Sequence, residues 1–421
     1  MICKKIITLT ITILLICAST TIISSSRNLN ISPKILKNNN YYCYGFNSGK
    51  NNLIKYKLID LMVKFVKSNI SESQVKNQIQ YCSKYFPFFL DELKGLSDSL
   101  NIKLEKLIHI QLTLQKFFNK IISQECTVTL STGNATKQNA TFLTQNYDSN
   151  LKYFSNLVGL FLMRFFTFFP KVVRYNTIGY KYVYIGIPVL YEIPIINEKG
   201  LGFVQPGTGL VDNKSMIDVG PGMSTYLLDR LTMMICKNVS EVADLWAEMT
   251  RSSGYNENWP HFWDNSVPCW GDKKGGILAI EQTHNYSIFV FGNSTNITCA
   301  PEGILWHANH HQWLDPNLTG TIFSEEDSSS ALRAERAREL LEDNYGKITI
   351  ETCKSICRDH GGGWDKNAKD SGDICRHPDS YSNSITAFSW IIEPKNLTVY
   401  ISHRCPCNSK YTKHDFSDIF Q

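Results

Sequence analysis

The side chains able to do covalent or acid–base chemistry fall in a few short blocks. Cys126 opens an alternating run, CTVTLST over 126–132, and after a turn a second run ends in Gln145, Asn146, Tyr147 and Asp148. That pattern is a β-hairpin with a thiol at its first residue and a carboxylate where its second strand ends. A thiol becomes a strong nucleophile once a neighbouring base takes its proton. Further along come HANHH at 307–311 and ICRHP at 374–378, which bring Asn309 and Arg376. Taken alone, each partner has an ordinary reading: Asp148 as a turn residue, Asn309 as a loop residue capping backbone, Arg376 as a surface salt-bridge arginine. His307 and His311 stand four apart, as zinc ligands on one helical face would. However, no HExxH glutamate accompanies them, and Gly303 and Trp306 argue against a helix there, so no metal is expected. Cys353-x-x-x-Cys357 and Cys405-Pro-Cys407 imitate ligand spacing too, but in an exported chain such pairs are more often disulfide partners.

The elements that must position these groups divide at Cys126. Residues 28–52 are Asn-rich and turn-prone, which predicts a flexible lead-in. From Leu53 to about Gln115 the apolar spacing is helical: Ile54, Leu58, Leu61, Met62, Phe65 and Val66 recur at 3.6-residue intervals. Further helices are expected at Ser73–Tyr85, Phe88–Leu100 and Leu104–Leu114. Beyond the hairpin, strands are expected at Lys181–Pro188, Gly276–Glu281, Ser287–Gly292, Ser384–Ile392 and Leu397–Ser402. Helices are expected at Met223–Lys237, Ser240–Arg251, Ser329–Glu342 and Thr349–Asp359. Arg338 and Glu342, and Glu335 and Glu339, lie four apart in the third of these, the mark of a solvated face. Strands and helices interleave without regular βα alternation, which predicts an α+β fold with antiparallel sheets.

The chain starts like an export signal. Lys4 and Lys5 precede an apolar run from Ile6 to Ala18, then small and polar residues, so residues 1–25 read as a cleaved signal peptide. Leu157–Phe169 is also apolar, but Arg164 and Pro170 mark it as core or the wall of an apolar pocket. No stable membrane span is expected after signal removal. Glycosylation sequons at Asn69, Asn134, Asn139, Asn238, Asn285, Asn293, Asn296, Asn317 and Asn396 agree with a secreted or lysosomal glycoprotein. Cys3 and Cys17 would leave with the signal; of the 13 cysteines, 11 remain, and setting Cys126 aside leaves ten for disulfides. Apolar residues make up 43% of the chain and charged residues 19%, which excludes a disordered chain. A net charge of +5 is too slight a bias to predict nucleic-acid binding.

Taken in order, the blocks resemble the acyl-coenzyme A:isopenicillin N acyltransferase family of N-terminal nucleophile hydrolases. Cys126-Thr127 and the hairpin are followed by HANH at 307–310, similar to that family's HTNH. Ser330, Arg333, Arg336 and Leu340 match its S-x-x-R-x-x-R-x-x-x-L helix, and Asp359-His360 with ICRHP its DH…ICRHP segment. The likeness covers about residues 85–415. CTVTL lacks the surroundings of a papain-like cysteine, the other common thiol scheme.

The resemblance implies a four-layer αββα sandwich and an inactive precursor cut at Glu125–Cys126. Residues 26–125 would be a helical prosegment and smaller chain, and 126–421 the catalytic domain. Cys126 would then supply the nucleophile, and its own freed α-amine the base. Asp148 would orient that amine, Asn309 would donate to the oxyanion, and Arg376 would add positive charge or clamp a substrate carboxylate. Glu125 departs from the small residue the family often has before its cysteine. The expected partners are a small amide or acyl-thioester substrate and the chain's own prosegment, with no cofactor. A phospholipase-B-like lipid hydrolase and a non-catalytic secreted glycoprotein of the same fold are the alternatives.

Overall fold

The computed structural model describes residues 40–64, 70–85, 87–122, 126–150, 171–173, 179–207, 218, 225–249, 266–319, 328–361, 364–365, 370–378 and 384–420. The signal segment, Glu125, Asn69 and Leu157–Phe169 lie outside the described residues.

Five helices come first: α1 (Asn40–Asn51), α2 (Leu53–Val63), α3 (Glu72–Tyr85), α4 (Pro87–Leu100) and α5 (Leu104–Ile122). The flexible lead-in expected over 28–52 is corrected here, since α1 occupies its second half. Asparagine is a weak helix former, but packing against α4 overrides it. Tyr41 is buried against Phe88, with ring centroids 5.2 Å apart. Gly45 and Gly95 let the two backbones meet: a Cβ on Gly95 would stand 2.0 Å from the Tyr42 carbonyl oxygen.

Two antiparallel sheets follow. The first holds β1 (Thr127–Ser131), β2 (Phe142–Asn150), β10 (Ile304–His307), β11 (Ser384–Glu393), β12 (Thr398–Ser402) and β13 (Thr412–Asp415), in the order β10-β1-β2-β11-β12-β13. The second holds β3 (Lys171–Val173), β4 (Tyr182–Ile187), β5 (Tyr191–Asn197), β6 (Leu201–Val204), β7 (Cys269–Asp272), β8 (Ile277–Gln282) and β9 (Ser287–Phe291), in chain order. Strand β5 carries Pro194, a residue that ordinarily argues against a strand. A shift in register between Val183 and Tyr184 of β4 accommodates it.

Alternation sorts the first sheet into two faces. Val128, Leu130, Leu143, Tyr147, Trp390 and Ile392 point into the core shared with Phe203, Leu201 and Trp270 of the second sheet. The other face packs under α8 (Ser329–Asp343) and α9 (Ile350–Cys357), whose Ala334, Ala337, Leu341, Cys353 and Ile356 meet Trp306, Phe142 and Ile391. Helix α6 (Thr225–Ile235) lies on β5, and α7 (Val239–Glu248) meets α6 and β7. The result is α+β in four layers, helix–sheet–sheet–helix.

The helical N-terminal region is tied to the sheets by buried charge. Arg230 of α6 reaches Glu92 of α4 at 3.0 Å and Glu192 of β5 at 3.1 Å, all three side chains essentially inaccessible. Tyr44 and Tyr182 also donate to Glu192, at 2.9 and 2.6 Å.

The disulfide framework is not what the structure builds: all eleven described cysteines are free thiols. Cys82, Cys236 and Cys269 are buried singly in the core, where they pack as small apolar side chains. Sequons also differ in availability. Asn134, Asn139, Asn293, Asn296 and Asn317 are exposed. The amides of Asn285, Asn396 and Asn238 are engaged with Asp218, Glu393 and Glu241, so a glycan there would have to displace a hydrogen bond.

Candidate active site

Cys126 sits one residue before β1, with 1% of its surface exposed. The register pairs Thr127 with Asn146, so Cys126 falls opposite Tyr147 and on its face of the sheet. That face is aromatic: Tyr147 stacks on Phe388 at 4.6 Å and tilts against Trp390 at 5.2 Å. The thiol therefore points at the apolar inter-sheet layer while its backbone is held from the opposite face.

Arg333 does the holding. It projects from α8, 1% exposed, and donates from Nη1 to the Cys126 carbonyl oxygen at 2.8 Å and to Thr127 Oγ1 at 2.9 Å. Its Nη2 donates to Asn309 Oδ1 at 2.8 Å, and its Nε to Ser329 Oγ at 3.2 Å. One rigid guanidinium thus fixes the Cys126 backbone and the orientation of the Asn309 amide together. With its oxygen held, Asn309 presents its two N–H donors away from Arg333; one goes to the Gly207 carbonyl oxygen. The Asn309 backbone N–H donates to Ser330 Oγ at 2.8 Å, which also pairs with His310 Nδ1 at 2.7 Å.

The loop carrying Asn309 is anchored by a buried carboxylate. Glu281 pairs with His307 at 2.8 Å and accepts from the backbone N–H groups of Trp313 at 2.9 Å and Leu314 at 2.6 Å. Burial works against its charge, yet the His307 contacts and the Gln312 N–H hold its pKa down to about 2. Burial also pushes His310 down to about 3, with the charge of His307 adding to the effect. His307 and His310 are thus structural groups around Asn309.

Asp148 lies 1% exposed near the end of β2, and Thr386 Oγ1 donates to its Oδ1 at 2.7 Å. The Arg376 backbone N–H in turn donates to Thr386 Oγ1 at 2.8 Å. Arg376 is 2% exposed, so the ordinary surface reading of that residue fails, and its backbone supports the partner of Asp148. Burial, and next the Asp148 carboxylate, push the Cys126 thiol up to about 12. The Asp148 backbone N–H, the Arg333 charge and the Gln145 amide pull the other way. The intact chain therefore holds Cys126 as a neutral thiol beside a carboxylate. Such a sulfur needs a proton acceptor before it can react.

Cys126, Asp148, Asn309 and the Arg376 segment are thus brought into one neighbourhood. Arg333 and Gln145 also act on Cys126, although their sequence blocks give neither of them a role. The solvated-face reading of the α8 charges holds for Arg338, which pairs with Glu335 and Glu342, and not for buried Arg333.

No family model and no curated protein sequence matches this chain. Among solved structures, penicillin V acylase from Agrobacterium tumefaciens is similar at 12% identity and a TM-score of 0.40, covering 69% of this chain and 86% of that one. A variant of conjugated bile acid hydrolase from Clostridium perfringens is similar at 13% identity and a TM-score of 0.39, covering 69% of this chain and 93% of that one.

Proposed function

We propose that the chain is a self-processing cysteine amidohydrolase or acyltransferase of N-terminal nucleophile type, acting on linear amides through a thioester on Cys126. The observation that carries this reading is Arg333, which holds the Cys126 carbonyl and the Asn309 side-chain oxygen with one guanidinium. A buried arginine bridging a strand-edge cysteine and an asparagine from another loop is costly to build for packing alone.

Activation begins with the Cys126 sulfur adding to the Glu125 carbonyl. The peptide C–N bond breaks, the α-nitrogen takes the thiol proton, and a thioester links Glu125 to the sulfur. Water then releases a Glu125 carboxylate and returns the thiol. Cleavage leaves an α-amine on Cys126, with an unperturbed pKa of about 7.7–8.0, as the base its thiol lacked. In this reading Asp148, held by Thr386, orients that amine.

In turnover the amine takes the thiol proton as sulfur attacks the substrate carbonyl. The second Asn309 N–H donates to the oxyanion, and the proton passes to the leaving amine. Water, or an acceptor amine, takes the acyl group. The rings of Tyr147, Phe388 and Trp390 favour an apolar acyl chain on the thiol's side. We assign residues 26–125 to the smaller chain, retained through the Glu92–Arg230 pair, and the protein to the secretory or lysosomal route.

The test is to incubate purified protein with N-acyl amides, quench in acid and weigh the chains. A hydroxylamine-labile acyl group on the peptide beginning at residue 126 is expected. Amide hydrolysis with no adduct there, and undiminished in Cys126→Ala, overturns the reading.

A further inference from the structure

Three segments meet beside α9, where the chain around Arg376 carries donor atoms that the site at Cys126 does not use. The end of α9 leads into Asp359 and His360, residues 373–378 run beside it, and the turn after β12 carries Cys405-Pro-Cys407. The Cys375 N–H donates to the Asp359 carbonyl at 2.9 Å. The Arg358 guanidinium grips the turn through the Pro406 and Ser409 carbonyls, at 2.8 and 3.3 Å.

Four soft donor atoms converge there. Sulfurs of Cys375 and Cys405 are 3.3 Å apart, and those of Cys405 and Cys407 are 3.2 Å apart. Nε2 of His377 lies 3.8, 3.7 and 3.2 Å from the sulfurs of Cys375, Cys405 and Cys407. Donor atoms of His360, Cys375, His377 and Cys407 all lie within 4.8 Å of one another. Around a tetrahedral zinc with Zn–S near 2.3 Å and Zn–N near 2.0–2.1 Å, ligand atoms stand roughly 3.5–3.8 Å apart. Two of the five separations fall in that range and three are a few tenths of an ångström shorter, while the sulfurs lie well beyond the ~2.05 Å of a disulfide.

We propose that Cys375, His377, Cys405 and Cys407 form a structural zinc site, with His360 flanking it. Three thiolates and an imidazole are the donor set that selects zinc over harder cations. Binding releases three protons from the thiols and leaves no open position, so the ion is structural and takes no part in chemistry. Its purpose is positional. Cys375 and His377 flank Arg376, whose N–H donates to Thr386, the hydroxyl that donates to Asp148. A zinc clamp would fix that segment between the helices and the sheet. This inference does not depend on what Cys126 does.

The test uses the full chain, expressed and purified without chelators. Expected are one zinc per chain by elemental analysis and X-ray absorption fitted by three sulfurs and one nitrogen. Replacing the metal with cobalt in the wild type should give thiolate charge-transfer absorption. Cys405→Ser and His377→Ala should each weaken zinc binding at least roughly tenfold, while Cys43→Ser, at an exposed thiol on α1, should leave it unchanged. The wild-type spectra decide the matter even if the variants fold poorly. A metal-free wild type with a Cys375–Cys405 or Cys405–Cys407 disulfide would overturn the proposal, as would zinc content indifferent to both variants.

Discussion

Two buried arginines do opposite work in this molecule. Arg230 lies between the carboxylates of Glu92 and Glu192, its charge compensated on both sides, and joins the helical N-terminal region to the second sheet. Arg333 is equally buried, but four of its hydrogen bonds run to neutral oxygens, on Cys126, Thr127, Asn309 and Ser329. Its positive charge acts on the Cys126 thiol and opposes the upward push of burial and Asp148. Arg230 fastens two elements through paired charge, whereas Arg333 holds the Cys126 backbone and the Asn309 side chain together.

Substitutions at the two centres should therefore separate stability from rate. Arg230→Met leaves Glu92 and Glu192 buried without their cation, so unfolding free energy should fall by about 3–5 kcal/mol in urea titrations. Activity per folded molecule should survive, and an equal loss of kcat would erase the distinction. Asn309→Ala should fall mainly on rate, lowering kcat by roughly 10²–10³-fold, with a stability loss of about 1–3 kcal/mol from the Arg333 and Gly207 groups it leaves unpaired. Acid probes the frame around Asn309. Glu281 is held down from an ordinary value near 4.5 to about 2, so its contribution is whole above pH 4.5 and is lost as pH falls toward 2. On the order of 3 kcal/mol of stability should disappear across that window, and Glu281→Gln should flatten the profile there. Gly95→Ala, whose methyl would meet the Tyr42 carbonyl, should cost about 1–3 kcal/mol by forcing α1 from α4, with kcat unchanged.

Much of the fold was legible in the sequence because its periodicity is strong. The helices from Leu53 to Leu114 and the hairpin beginning at Cys126 show it plainly, as do the strands ending in Ile392 and Ser402. Helix α1 was not, since its asparagines and glycines look like turn formers when read locally. Strand β5 carries Pro194, which argues against a strand. The neighbours of Cys126 could be named because Asp148, Asn309 and Arg376 sit in recognisable blocks. Arg333 was visible in its motif but not as the link, because helical spacing alone cannot separate a buried arginine from the solvated Arg338 five residues later. Glu281 carried no signal at all; only its position beneath His307 reveals it. The cysteines misled for a related reason: parity counts sulfurs, whereas bonding depends on where the chain places them.

The most direct measurement is N-terminal sequencing of the purified protein under denaturing conditions. The account predicts a chain beginning Cys126-Thr127-Val128-Thr129, beside a smaller chain, and one uncut chain in Cys126→Ala. An intact bond between Glu125 and Cys126 in protein that still hydrolyses amides would contradict it.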